Sequence, residues 1–147
     1  MSLLHPEQLR HRAERLFADV GALGTAAGLG FVSAERGVAN QGIKALADGP
    51  WAFLDLRNVE GAKAEGLLTD VLAAGPSQLL IAAHREPAPA LARVLKAYVD
   101  RAPELLLGGR KLARPEGAAV LLVLDGATNL VGLPEPYPSL PYWDFLP

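Results

Sequence analysis

The chain has 147 residues, of which 50% are hydrophobic and 20% charged, and its formal net charge at pH 7 is -2. This length suits one compact domain with a buried core. The high hydrophobicity and low net charge exclude intrinsic disorder of the whole chain. The same balance argues against nucleic acid as a partner, because a broad nucleic-acid-binding surface is strongly basic.

The chain contains no cysteine, which excludes disulfides, thiolate metal sites and cysteine nucleophiles. No segment approaches the roughly 18 consecutive apolar residues that cross a bilayer. The first residues, MSLLHP, lead into a strongly charged stretch and do not have the pattern of a signal peptide. We therefore expect a cytoplasmic protein that does not associate with membranes.

Four segments have the apolar periodicity of amphipathic helices. In residues 5–20, apolar side chains recur at spacings of three and four, Pro6 suits the first turn, and Gly21 is a stop signal. Residues 38–47, 59–74 and 86–102 follow the same pattern, and each is followed closely by glycine or proline. Asn58 is the predicted N-cap of the third helix. Residues 21–30, rich in small side chains, are expected to be a loop or a frayed extension of the first helix.

Five segments are predicted to be strands. Residues 29–34, 51–56 and 78–83 are short and largely apolar, which is typical of strands that are covered on both faces. Residues 104–113 and 118–124 are separated by Arg-Pro-Glu-Gly, a connection of hairpin type, so this pair is predicted to be antiparallel. The Gly108-Gly109 pair interrupts the first of these two strands and is predicted to form a bulge.

The alternation of strands and helices predicts an α/β fold of three layers. The sheet is expected to be mainly parallel, with an antiparallel hairpin at its edge and an amphipathic helix at the N-terminus. Residues 1–126 are expected to form a single α/β domain. Residues 127–147 are expected to be an extended segment that packs on the domain or on a partner.

The C-terminal segment is distinguished by its composition. Its last 14 residues, PEPYPSLPYWDFLP, hold five of the 12 prolines and four aromatic side chains. Proline excludes helix and central strand here and favours an extended conformation. The aromatic side chains could bind a protein partner or a second copy, or they could cover the domain's own sheet edge. Both readings are compatible with a homodimer, and the candidate partner-binding residues are Tyr137, Tyr142, Trp143 and Phe145.

Polar residues follow the predicted parallel strands, where open α/β sheets bind ligands. Asp55 and Arg57 follow the second strand, and His84 and Arg85 follow the third; Glu35-Arg36 occupies the equivalent place after the first. Arginine side chains could hold a phosphate or carboxylate, with His84 or Asp55 available for proton transfer. The alternative is that these groups are solvated or form ordinary ion pairs.

Other chemical signatures are weak. The three histidines lack the spacing of metal ligands, and no serine lies in a nucleophile motif. We therefore assign no catalytic residue, metal or cofactor. Arg110, Lys111 and Arg114 form the densest positive patch, which would be a small nucleic-acid footprint or a device that protects a sheet edge.

Two functional hypotheses remain, and no known family is close enough to name. The first is a non-catalytic binding or assembly module that acts through the C-terminal segment and the hairpin edge. The alternative is a small-molecule site, for an anion such as phosphate or for a small enzyme's substrate, at the carboxyl edge of the sheet.

Overall fold

The computed structural model describes residues 5–31, 38–84, 89–125, 140 and 142–146. In this part of the chain there are four α-helices, namely α1 (Pro6–Gly21), α2 (Val38–Ala47), α3 (Gly61–Ala73) and α4 (Pro89–Val99). The same part contains seven strands: β1 (Ala26–Phe31), β2 (Ala52–Asp55), β3 (Gln78–His84), β4 (Glu104–Leu107), β5 (Arg110–Ala113), β6 (Ala119–Asp125) and β7 (Tyr142–Leu146). The α/β fold class is confirmed.

The main sheet has five strands in the order β2-β3-β6-β1-β7, and all of its neighbouring pairs are parallel. From β1 the chain runs through α2 to the far edge at β2, then returns through α3 to β3 and through α4 towards β6. Right-handed crossovers in opposite directions place their helices on opposite faces of the sheet. The α2 crossover therefore lies on one face and the α3 and α4 crossovers on the other.

The core follows these three layers. One buried cluster packs α1 and α2 against one face of the sheet and includes Phe17, Leu29 and Leu121. The other packs α3 and α4 against the opposite face and includes Leu68, Leu95 and Leu122. Because both faces are covered, the described side chains of the central strands are apolar except for Gln78 at the start of β3, which is why continuous apolar runs predicted these strands.

The N-terminus of α1 is closed by its own side chains. The backbone N–H of Glu7 donates to the His5 ring, and the backbone N–H of His5 donates to Gln8 Oε1 at 2.9 Å. Two backbone donors that have no partner within the helix are thereby satisfied. The predicted apolar stripe is also correct, since Leu9, Ala13, Leu16, Phe17 and Val20 are all buried.

The antiparallel hairpin differs in position from the prediction. It is formed by β4 and β5, which pair with each other as a separate two-stranded sheet. Gly108 and Gly109 form its two-residue turn, with φ of 59° and 74°, so the predicted bulge is wrong. Two successive positive φ values are typical of the tight turn whose twist matches that of a hairpin. The segment 118–124, predicted as the second hairpin strand, belongs instead to β6 in the parallel sheet.

Strand β1 begins earlier than predicted, because part of the expected loop at 21–30 is strand. Its sequence, AAGLGF, is fully buried. Alanine and glycine have low intrinsic strand preference, so the sequence pattern gave little sign of it. The register of β1 with both β6 and β7 explains its conformation, since tertiary pairing overrides local preference.

Two helix ends also differ from the predictions. Helix α3 begins at Gly61 with Glu60 as N-cap, and this cap makes no side-chain hydrogen bond, so the predicted cap at Asn58 is wrong. Helix α4 ends at Val99, and Arg101 then takes a positive φ of 56°. The predicted start of α4 at residues 86–88 lies outside the described residues.

The end of the C-terminal segment forms an edge strand. Strand β7 pairs with β1, and Arg12 of α1 binds both carboxylate oxygens of Asp144, each at 2.6 Å. An extended edge position agrees with the prolines in the sequence around it. The division into a domain at 1–126 and a separate segment stays a prediction, and residues 126–139 lie outside the described part.

Candidate functional site

The carboxyl ends of β2, β3 and β6 lie side by side in the sheet. Asp55, the last residue of β2, is in register with Ala82 of β3. Two residues further along β3, His84 is in register with Asp125, the last residue of β6. Three strands therefore end in an ionisable residue at the same edge of the sheet.

Strand alternation assigns these three positions to one face of the sheet. Phe53, Ala82 and Val123, which stand two residues before Asp55, His84 and Asp125, all belong to the core on the α1 and α2 side. Because residues two apart on a strand share a face, the three terminal positions belong to that same side. The side chains of His84 and Asp125 lie outside the described part of the structure.

Asp55 and Arg57 are bound to each other. Arg57 Nε and Nη2 donate to the two carboxylate oxygens of Asp55 at 3.0 and 2.9 Å, and the backbone N–H of Arg57 donates to Asp55 Oδ1 at 3.1 Å. The Asp55 side chain is 38% exposed and that of Arg57 only 12%. Parallel bonds of this kind hold both planar groups in a fixed orientation.

The same guanidinium connects the end of β2 to α2. Arg57 Nη1 donates to Oδ1 of Asn40, which lies in the first turn of that helix. Asn40 was not predicted as a site residue, and no motif in the sequence pointed to it. Its contact holds the start of α2 beside the end of β2, on the face to which the three strand ends belong.

The ion pair changes what the predicted residues can do chemically. Asp55 neutralises much of the charge of Arg57, so this arginine alone is a weak anion ligand. The three strands that precede the predicted arginines are also not all neighbours, because β6 lies between β3 and β1. Arg85 and the Glu35-Arg36 pair lie outside the described residues, so their part in the site stays a prediction.

Asp125 is the residue that sequence reasoning missed. The sequence pattern predicts the segment 118–124 as a hairpin strand, and the end of a hairpin strand is not a place where parallel sheets bind ligands. The signal was present in the sequence, because Asp125 ends an apolar run just as Asp55 ends the apolar run of β2.

The predicted partner-binding residues fall in and before β7. Tyr142 lies in this strand, and the residue is 41% exposed. The backbones of Trp143 and Phe145 are in register with Gly28 and Gly30 of β1. Their side chains, and Tyr137 as a whole, lie outside the described part.

The predicted positive patch is not a single surface. Arg110 and Lys111 are exposed on the hairpin. Arg114 is half-buried, and it donates to the backbone oxygens of Ala102 and Gly24 at 2.7 and 2.6 Å. Arg114 is therefore not part of an exposed patch with Arg110 and Lys111, because its guanidinium makes internal hydrogen bonds.

The described residues show neither a metal-binding cluster nor a membrane-spanning helix. They contain no cluster of three or more histidine, aspartate or glutamate side chains that could hold a metal ion. No helix among them has both the length and the apolar character needed to cross a membrane. Comparison with known proteins found no matching family model and no matching curated protein.

Proposed function

We propose that this chain binds a small anionic ligand, with a phosphate or carboxylate group, at the carboxyl edge of the five-stranded sheet. The observation that carries the proposal is the placement of Asp55, His84 and Asp125 at three adjacent strand ends, on one face. Ligands of open parallel sheets bind beyond the carboxyl ends of the strands.

Three features near this edge favour an anion and act against the negative charge of Asp125. Arg57 binds the Asp55 carboxylate, which weakens the repulsion between that carboxylate and an anion. His84 can gain a positive charge near neutral pH, and Arg85 follows it in the sequence. The N-terminus of α2, held here through Asn40, adds the partial positive charge of a helix start.

The test is a titration of the full chain with inorganic phosphate, followed through backbone amide chemical shifts. The expected result is saturable shifts that concentrate at Asp55, His84 and Asp125. His84→Ala and Arg85→Ala should each weaken binding about tenfold, as loss of roughly 1.4 kcal/mol predicts. The matched control, Arg110→Ala, changes an exposed side chain of the separate two-stranded hairpin sheet and should bind as the wild type does. Shifts confined to other regions would refute the proposal.

A second candidate function is self-association through the C-terminal segment, with Tyr137, Tyr142, Trp143 and Phe145 as contact residues. The exposure of Tyr142 in an edge strand supports it, because large aromatic side chains are enriched in protein interfaces. Deletion of the segment is a poor test, since it would also remove a strand from the sheet.

A substitution tests self-association more cleanly. We expect wild-type protein to be dimeric by light scattering, and Tyr142→Ser to shift it towards monomer. Leu23→Ser is the control, because Leu23 is 41% exposed, as Tyr142 is, and lies in the turn between α1 and β1. A wild-type monomer at every concentration tested would exclude this function.

A further inference from the structure

We propose that the outer edge of β2 is a docking surface for a second copy of this chain. The second copy adds its own β2 in antiparallel orientation, about a two-fold axis, and so continues the sheet. The inference is independent of the anion site. It also differs from association through the C-terminal segment, because β2 and β7 are the opposite edges of the five-stranded sheet.

The outer side of β2 presents backbone groups that can extend the sheet. The backbone N–H of Leu56, directly after the strand, donates to the oxygen of Ala82 in β3 at 2.8 Å. Because successive residues of a strand direct these groups to alternate sides, the N–H and C=O of Phe53 point away from β3. No strand in the described part of the chain pairs with β2 on that side. Such an edge is a template for another strand.

Helix α3 directs one flank towards this edge. On its opposite flank, Glu65 accepts a hydrogen bond from the hairpin's Gly108 at 2.8 Å and lies 4.0 Å from Arg93 of α4. At about 100° per residue, Leu67 is about 200° round the helix from Glu65, and Val71 is on the same side as Leu67. This second flank therefore faces away from α4 and the hairpin, towards the outer edge of β2.

Apolar side chains line the edge on both faces of the sheet without being fully buried. Phe53 packs in part against the core on the α1 and α2 side. Leu54, Leu67 and Val71 pack in part against the core on the α3 and α4 side. A second copy at this edge removes the exposed remainder of these four side chains from water, which favours association.

The charges on this flank of α3 are self-complementary about a two-fold axis. Lys63 and Asp70 are both exposed and lie within about 60° of Leu67, the middle residue of the helix. Lys63 precedes Leu67 by about 6 Å along the helix, and Asp70 follows it by about 4.5 Å. When two copies of α3 run antiparallel about Leu67, Lys63 of each copy comes level with Asp70 of the other. These two reciprocal ion pairs favour a second copy over an unrelated partner.

The sheet and the helices can share this two-fold axis. Antiparallel pairing about Phe53 lets the two copies of this residue exchange backbone hydrogen bonds and places their side chains on one face. With each α3 above the gap between β2 and β3, the strands that it connects, the two helices are two strand spacings apart, about 9.6 Å. Helices that pack against each other are separated by about 8–10 Å.

The first experiment measures the dimer dissociation constant of the full chain by sedimentation equilibrium. Lys63→Glu and Asp70→Lys each place like charges across the axis twice in every dimer, and each should raise this constant at least about tenfold. The double variant Lys63→Glu/Asp70→Lys restores opposite charges and should return the constant close to that of the wild type. Both changes suit the helix dipole, since residue 63 is near the start of α3 and residue 70 near its end, so folding is not impaired.

The matched control is Lys111→Glu, the same charge reversal at an exposed position of the separate hairpin sheet, and it should leave the constant unchanged. The second experiment follows amide hydrogen exchange at Phe53. This exchange should slow as the wild-type concentration rises through the dissociation constant, and it should stay fast in Lys63→Glu at the same concentrations.

Three results would overturn the proposal. The first is a wild type that is monomeric at every concentration tested. The second is a dimer whose dissociation constant neither single charge reversal raises. The third is a dimer that Tyr142→Ser dissociates while exchange at Phe53 stays independent of concentration, which would assign the interface to the C-terminal segment.

Discussion

The guanidinium of Arg114 lies over the ring of Tyr98, with its central carbon 5.6 Å from the ring centroid. The same guanidinium donates to the backbone oxygens of Ala102, after α4, and Gly24, before β1. One side chain thus joins the hairpin's return strand to two turns at the amino edge of the sheet. Hydrogen bonds from a charged donor to buried acceptors are stronger than neutral ones.

Replacement of Arg114 by alanine is expected to destabilise the fold. It removes two charge-assisted hydrogen bonds and the contact with Tyr98, a loss of about 2–4 kcal/mol in the free energy of unfolding. Arg110→Ala, on the exposed part of the hairpin, should change it by less than about 0.5 kcal/mol. Urea denaturation measures both variants. Equal stability of the two would show that the bonds of Arg114 contribute little.

Tyr98 predicts a loss of stability at alkaline pH. Burial raises the pKa of its hydroxyl above the ordinary value of 10.0, and the charge of Arg114 lowers it and so offsets part of the effect. Below about pH 10 the hydroxyl is neutral in both states, and its full contribution is present. As the pH rises further, the unfolded state ionises first, so the free energy of unfolding falls.

This dependence can be isolated with Tyr98→Phe, which has no hydroxyl to ionise. Unfolding by urea at pH 9, 10 and 11 should show a smaller loss of stability in the variant than in the wild type. Tyr142, which is exposed, provides the control substitution Tyr142→Phe. The interpretation fails if Tyr98→Phe and Tyr142→Phe lose the same free energy of unfolding between pH 9 and 11.

Substitution of two glycines by alanine is expected to change the free energy of unfolding in opposite directions. Gly109 has a φ of 74° in the hairpin turn, whereas Gly66 lies inside α3, and a Cβ at either position would have open space around it. Gly109→Ala should destabilise by about 1 kcal/mol through backbone strain. Gly66→Ala should stabilise by about 0.5–1 kcal/mol, because alanine favours the helix. Thermal unfolding measures both; a destabilised Gly66→Ala would contradict the account of α3.

The ion pair between Arg12 and Asp144 is expected to stabilise the pairing of β7 with β1. Asp144→Ala removes the carboxylate that Arg12 binds, at a cost of about 1 kcal/mol for a partly exposed pair. We expect amide hydrogen exchange in β7 to become about fivefold faster, with little change in the central strands. Asp70→Ala is the control. Exchange in β7 that is unaffected by the substitution would show that backbone pairing alone retains the strand.

The sequence predicts most accurately the elements that lie next to glycine and proline. Helix α2 matches its predicted limits, and β2 and β3 match within one residue at each end, because glycine and proline mark the surrounding turns. The predicted hairpin is misplaced because the apolar pattern fits two arrangements. Residues 104–107 can pair with 110–113, as they do, or residues 104–113 can form one strand that pairs with 118–124. Strand order is set by tertiary contact, so the neighbourhood of His84 and Asp125 could not be predicted.

For the site, sequence alone identified the chemistry of strand ends but not their partners. That Asp55 and Arg57 are polar groups at the end of a buried strand follows from the local pattern. That they bind each other and Asn40 depends on where α2 lies across the sheet. Contacts between residues far apart in the sequence cannot be predicted from a local pattern.

The pairing of β1 with β6 has a consequence for the order of folding. Ala26 is in register with Val120, about 90 residues later in the chain. During synthesis, β1 leaves the ribosome long before its neighbour in the sheet exists, while β2 and β3 can already pair. Non-local pairing of this kind slows folding. The half-built sheet would therefore expose apolar surface until β6 inserts, and chaperone binding to nascent chains should end once that strand has emerged.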